Sequence, residues 1–220
     1  MKEIYPLTAN LKNKKIHFRK WKVKDKKEIL KNKDNPEKLK TALVYNCLKD
    51  KNIVLTKEEY KYLLLQIRFA SLKENIVYNF ECKNCKSEFE YIANIDEIAK
   101  PKFSKENLIT VGEHTFEMQR IQNREFYENS LLNVSEAEAD LIEFIFSIKS
   151  YNSDDVFGFE ELNEIINDLD IDIFSEIFSE WNRIKFRIDN VHSVKCPKCS
   201  HKTEYEFDYL PGFFPESWDI

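Results

Sequence analysis

Only three glycines occur in 220 residues. The Gly-rich loop that lets backbone amides close round a phosphate is missing, as is the Gly-x-Ser-x-Gly elbow of a hydrolase nucleophile. No run of 18 apolar residues occurs, so no segment is expected to span a membrane. The opening MKEIYPLTANLKNKK lacks the apolar stretch of a secretory signal. Cysteine is sparse too, at five residues, and a reducing cytoplasm is the expected setting. Paired cysteines there hold metal more often than they form disulfides. What remains is 42% hydrophobic, 14% aromatic and 33% charged. That mix reads as a soluble, helix-rich fold of one ordinary domain or two small ones.

The net charge of -5 conceals an uneven distribution. Residues 1–50 carry 15 Lys/Arg against 6 Asp/Glu, whereas residues 134–180 carry one Lys against 14 Asp/Glu. Solvated faces explain such runs. A dipolar molecule that docks other proteins through complementary potential is the sharper reading. Nucleic-acid binders are more often basic overall.

Four of the five cysteines form two Cys-x-x-Cys pairs, Cys82/Cys85 and Cys196/Cys199, with 110 residues between them. Zinc takes four thiolates at tetrahedral corners, and each tight Cys-x-x-Cys turn supplies two. The flanks match as well. Laying Cys82 over Cys196 sets Phe80 over Val194, Cys85 over Cys199 and Tyr91 over Tyr205. Each pair is therefore expected at the tip of a β-hairpin, as in the two halves of a zinc ribbon. Four thiolates leave no open coordination position, so the ion is expected to be structural. A redox pair is disfavoured, because neither motif opens a βαβ helix. His192 and His201 flank the second pair, but four cysteines suffice without them. His17 and His114 have no paired ligand nearby and read as structural or exposed.

Alternation of Ile16 and Phe18 predicts a strand within residues 14–21. A lysine-rich helix is expected over 22–33 and a second from Pro36 to Lys49, with Leu39, Ala42, Leu43 and Cys47 on one stripe. Cys47 reads as a core residue. A capping box at Thr56–Glu59 starts a helix reaching Leu72, with Tyr60, Leu63, Leu64 and Ile67 on its apolar face. Arg68, beside that face, is expected to be exposed or paired. Between the cysteine pairs a hairpin should turn at Gly112-Glu113. Helices should follow over 123–132, 135–150 (with a capping box Ser135/Glu138), 159–169 and 171–184, and a loop over 151–159. Asp154 and Asp155 do not have the spacing of a calcium loop. No carboxylates pair into an acid/base site, so no enzyme is expected.

The expected fold class is α+β: helix-rich, with a two-knuckle, four-cysteine zinc ribbon formed by distant chain segments. Residues 1–75 would supply an N-terminal strand and helices. Residues 76–99 and 190–220 would supply the ribbon halves and an aromatic tail. Residues 100–189 would be an inserted hairpin and acidic helical region.

The order of the segments IHFRKWKVKDKKEIL, LTKEEYKYLLLQIRFASLKENIVYNFECKNC, FEELNEIINDLDIDIFSEIFSEWNRI and HSVKCPKCSHKTEYEFDYLPGFF resembles the baseplate hub and hub-assembly proteins of T4-like contractile-tailed phages. The resemblance runs over nearly the whole chain and includes an Arg-x-x-Ser element at Arg68–Ser71 and a closing Phe213-Phe214. Lys20-Trp21 departs from it, standing where that family has a proline-aromatic pair. The resemblance implies a non-enzymatic role in the baseplate hub, as a subunit or as an assembly factor. It implies action in the host cytoplasm during assembly or in the virion baseplate, through contacts with other hub or tail proteins. Phe213, Phe214 and Trp218 are the candidate partner-binding residues, because aromatic side chains concentrate interface energy. Packing of that tail on the protein's own ribbon is the competing reading. The alternative function is a zinc-ribbon module for nucleic acid or a transcription complex, with the basic N-terminal segment touching phosphates.

Overall fold

The computed structural model describes residues 5–12, 14–72, 76–93, 99–122, 124–131, 134–155, 158–189 and 191–207. Helices and strands are mixed, so the chain is α+β as expected. Two compact units divide it. The first joins segments 1–51, 57–102 and 187–220, and the second joins 52–56 to 103–186.

The first unit opens with the antiparallel hairpin β1 (Leu7–Leu11) and β2 (Lys14–Phe18). Ala9, Leu11, Ile16 and Phe18 alternate inward, which is the period-2 pattern of a half-buried hairpin. Helix α1 (Val23–Lys31) begins with a capping box closed by Asp25, whose carboxylate accepts the Lys22 amide at 2.7 Å. Asn35 caps α2 (Pro36–Leu43), accepting from the Lys38 amide, with Pro36 in the first turn where its missing N–H does no harm. Helix α2 ends at Leu43, short of the expected Lys49. A 3-10 turn over Tyr45–Cys47 replaces its last part, because this backbone bonds instead to the strand segment. Arg19 N donates to Cys47 O at 3.0 Å and Lys49 N donates to His17 O at 2.9 Å. Cys47 is fully buried, as its stripe position implies.

Helix α3 (Lys57–Leu72) starts just after Thr56, where the capping box puts it, and buries Leu63, Leu64 and Ile67. It also buries Arg68, at 2% exposure. The Arg19–Asp25 ion pair ties this end of the unit together. Arg19 Nη1 and Nη2 reach the two Asp25 oxygens at 2.6 and 3.0 Å, and Nη2 also donates to Asn46 O at 2.8 Å. Both side chains are almost wholly buried, at 4% and 3% exposure. Two residues on, Trp21 N donates to Ser71 Oγ and Trp21 Nε1 donates to Leu43 O, each at 2.8 Å. The segment Arg19–Trp21 thus holds β2, α1, α2 and α3 in one hydrogen-bonded node.

Three two-stranded sheets complete the unit: β3 (Ile76–Glu81) with β4 (Glu88–Ala93), β5 (Pro101–Lys102) with β10 (Arg187–Ile188), and β11 (Val191–Lys195) with β12 (Lys202–Glu206). The β5–β10 pair brings together the two chain ends that lead into the second unit. An ion pair between Lys102 and Asp189 closes it.

The second unit is built on an antiparallel meander, β6 (Leu108–Val111), β7 (His114–Met118), β8 (Ile148–Tyr151) and β9 (Asp154–Asp155). Gly112 takes φ +58° as the first residue of the β6–β7 turn, a conformation glycine adopts without strain. Four helices accompany the sheet: α4 (Arg124–Ser130), α5 (Glu136–Phe146), α6 (Phe159–Asn167) and α7 (Ile171–Ile184). Ser135 and Glu138 form the expected capping box of α5. The core gathers Phe116, Phe144, Ile148, Ile166, Ile177 and Trp181.

Two stretches differ from the sequence expectation here. Helix α5 stops at Phe146, and residues 148–150 pair with β7 as a strand, because β-branched Ile148 sits under the helices as part of the sheet core. The expected loop at 151–159 contains the β8–β9 hairpin. Its turn residues Asn152 and Ser153 both take positive φ, 48° and 72°, as a two-residue type I′ turn requires. Asn152 Oδ1 accepts from Thr115 N at 2.8 Å and braces that turn.

Asp25→Ala leaves the buried Arg19 guanidinium without its carboxylate. A loss of about 3–5 kcal/mol is expected in denaturant unfolding followed by a first-unit probe. Replacing both partners, with Arg19→Met and Asp25→Leu, is expected to recover much of that loss.

Candidate metal centre

Each cysteine pair sits at the tip of a hairpin, and the two tips are built alike. In the first, Cys82 N donates to Ser87 O and Lys86 N donates to Cys82 O, both at 2.9 Å. In the second, Cys196 N donates to His201 O and Ser200 N donates to Cys196 O, again at 2.9 Å. Lys86 and Ser200, the equivalent residues after each second cysteine, both take left-handed backbone angles, φ 58° and 61°. That conformation reverses the chain so that both sulfurs of a pair project to the same side.

The tips meet. Cys82 Sγ lies 3.6 Å from Cys199 Sγ, Cys85 Sγ lies 3.8 Å from Cys196 Sγ, and all four sulfurs fall within 4.8 Å of one another. A zinc–sulfur bond of about 2.3 Å makes the edge of a tetrahedral site about 3.8 Å, so the donor set has the size the ion needs. Cys82 and Cys196 are buried, while Cys85 and Cys199 are partly open.

The surroundings favour thiolate over thiol at two of the four. Cys196 is lowered to about 6, first by the backbone N–H of Cys199, with help from the Ser87 hydroxyl and the Lys198 N–H and against its own burial. Cys85 is lowered mainly by Ser87, whose Oγ stands 3.0 Å from Cys85 Sγ and 3.6 Å from Cys196 Sγ. At Cys82 the Cys85 N–H favours the thiolate, but burial and the neighbouring Cys199 and Cys196 thiols leave the net shift upward. Asn84 Nδ2 lies 3.6 Å from Cys199 Sγ. Ser87 and Asn84 were not singled out by sequence reasoning. Their only signal is position, beside the first cysteine pair, and they reach the sulfurs of the second.

Behind the sulfurs the hairpins pack through aromatic rings. Phe80 stacks on Tyr205 at 4.2 Å between centroids, and Tyr78 meets Phe207 edge-on at 4.7 Å. Tyr205 Oη donates across the seam to Glu81 O at 2.8 Å. The predicted overlay of the two knuckles therefore holds in three dimensions, with Phe80 and Val194 on the inner faces and Tyr91 and Tyr205 at matching register.

The histidines stand apart from the sulfurs. His192 Nε2 is 2.8 Å from Asp189 O, His114 Nδ1 is 2.7 Å from Tyr151 Oη, and His201 and His17 are exposed. Phe213, Phe214 and Trp218 lie outside the described residues. Among the described residues no helix is long and apolar enough to cross a membrane.

An α+β chain whose two distant Cys-x-x-Cys hairpins close on one four-thiol cluster defines the class of protein. The family described as T4 bacteriophage base plate protein matches residues 2–215, and the chain belongs to it. It is a structural protein of a phage tail. No curated protein and no solved structure matches the chain.

The left-handed residues give a direct check on the knuckles. Lys86→Val and Ser200→Val place a β-branched side chain at positive φ and should each cost about 1–2 kcal/mol. Lys86→Gly and Ser200→Gly should fold normally. Thermal unfolding of the four variants compares them.

Proposed function

We propose that the chain acts in the central hub of a contractile-tail phage baseplate, as a hub subunit or as a factor that helps assemble it. It works through contacts with other hub or tail proteins and not through catalysis. The observation that carries this reading is the baseplate family match across residues 2–215. The resemblance of the ordered segments to hub and hub-assembly proteins is what supports the narrower assignment to the hub.

We further propose that Cys82, Cys85, Cys196 and Cys199 hold one structural zinc ion. Four sulfurs at tetrahedral spacing, two of them buried, support that choice. The ion closes the hairpins onto each other and supplies no reactive position. In this reading Phe213, Phe214 and Trp218 remain the partner-anchoring residues, on the chemistry of an aromatic tail.

Affinity capture of the tagged chain from phage-infected cells tests the function. Hub or tail components are expected among the recovered proteins. Recovery of nucleic acid or polymerase alone would instead favour a nucleic-acid module. The double variant Cys82→Ser/Cys196→Ser is expected to lose its metal and to recover those partners at least several-fold less well, as the buried half of the ligand set is gone.

A further inference from the structure

The knuckle hairpins turn their aromatic faces toward each other, so their other faces point outward on opposite sides. On β3 and β4 the outward side chains are Val77, Asn79 and Glu81, and Glu88, Glu90 and Ile92. On β11 and β12 they are Val191, Ser193 and Lys195, and Lys202, Glu204 and Glu206. All twelve are exposed, including Val77 at 51%, Ile92 at 61% and Val191 at 46%.

The register places like charges directly across from each other at the cysteine end of each hairpin. Glu81 faces Glu88 on the first, and Lys195 faces Lys202 on the second. Such pairs weaken the hairpin that carries them. Lys86 Nζ approaches Glu81 at 3.5 Å and offsets only part of one pair. Matching the cysteines shows that the four residues are positional equivalents: Glu81 corresponds to Lys195, and Glu88 to Lys202. Two faces of the same shape therefore carry opposite charge at the same place.

We propose that these faces bind each other between copies of the chain. The β3–β4 face of one copy docks on the β11–β12 face of the next, with cysteine ends aligned. Facing surfaces exchange left and right, so β3 meets β12 and β4 meets β11. Glu81 then meets Lys202, and Glu88 meets Lys195. One row further, Glu90 meets Ser193 and Asn79 meets Glu204, which avoids setting Glu90 against Glu204. At the far end Ile92 meets Val191. The reversed alignment would set Glu88 against Glu206 and Glu90 against Glu204, so charge selects one orientation. Because the two faces lie on opposite sides of the paired hairpins, the contact is head-to-tail and propagates into a ring or an open filament. The partner is a second copy of this chain. The inference goes beyond the hub assignment and does not rest on it.

Sedimentation velocity on the full-length protein tests it. Self-association that grows with protein concentration is expected in about 20 mM salt. It should be lost in about 500 mM salt, where screening falls to a few ångströms. The variants Glu81→Lys/Glu88→Lys and Lys195→Glu/Lys202→Glu should each be monomeric in low salt, since each makes its two faces alike in charge. An equimolar mixture of the two should associate again, because every contact then joins opposite charges. Circular dichroism confirms that each variant is folded. A wild-type protein that stays monomeric in low salt would overturn the proposal. So would a folded variant that associates like wild type, or folded variants whose mixture stays monomeric. If the variants do not fold, the salt dependence of the wild type decides by itself.

Discussion

Two cysteine pairs more than a hundred residues apart must arrive at one point, and the rest of the first unit depends on that closure. Bringing such distant segments together costs about 4 kcal/mol of chain entropy by the logarithmic estimate. A two-stranded hairpin alone is marginal in water, and both knuckles are two-stranded. The aromatic seam of Tyr78, Phe80, Tyr205 and Phe207 contributes burial, and Tyr205 adds a hydrogen bond across it. A four-thiolate zinc site supplies roughly 10–16 kcal/mol of apparent binding energy, well above the closure term. The sulfurs and the seam lie one behind the other, so an ion held there and the packing would reinforce the same contact.

The chain between the knuckles is accommodated by a simple device. Strands β5 and β10 pair at Lys102 and Arg187, just where the chain leaves for the second unit and where it returns. Inside the second unit Phe103 and Phe186 continue that juxtaposition, with ring centroids 5.8 Å apart. The second unit then builds its own core around Phe144 and Trp181, independent of any thiolate. In the first unit the buried Arg19–Asp25 pair plays a comparable organising part, joining a strand end, a helix cap and the 3-10 turn.

The knuckles were legible in the sequence because their chemistry is local: Cys-x-x-Cys and alternating flanks specify a hairpin tip without reference to anything distant. The helices α6 and α7 and the capping box at Ser135 were legible for the same reason. What escaped was set by pairing across the fold. Residues 148–150 continue a helical pattern, yet their backbone bonds to β7. Asn152-Ser153 lacks the glycine that marks a type I′ turn, and Thr115 supplies the missing support. The end of α2 yields to hydrogen bonds from β2, and the burial of Arg68 has no local signature. At the candidate metal centre the sulfurs could be named from spacing, but Ser87, besides touching Cys85, reaches Cys196, and Asn84 reaches Cys199, contacts across the knuckles that only the fold reveals.

Function follows from the whole chain more than from the cluster. Membership of the baseplate family fits a cluster of four thiols with no open coordination position: an ion held there would keep a surface in shape. The most direct measurement is X-ray absorption at the zinc edge of the purified full-length protein. The expected spectrum shows four sulfur scatterers at about 2.3 Å and no lighter ligand. A protein that binds no zinc, or zinc held by a mixed sulfur and nitrogen or oxygen set, would contradict the four-thiolate clasp.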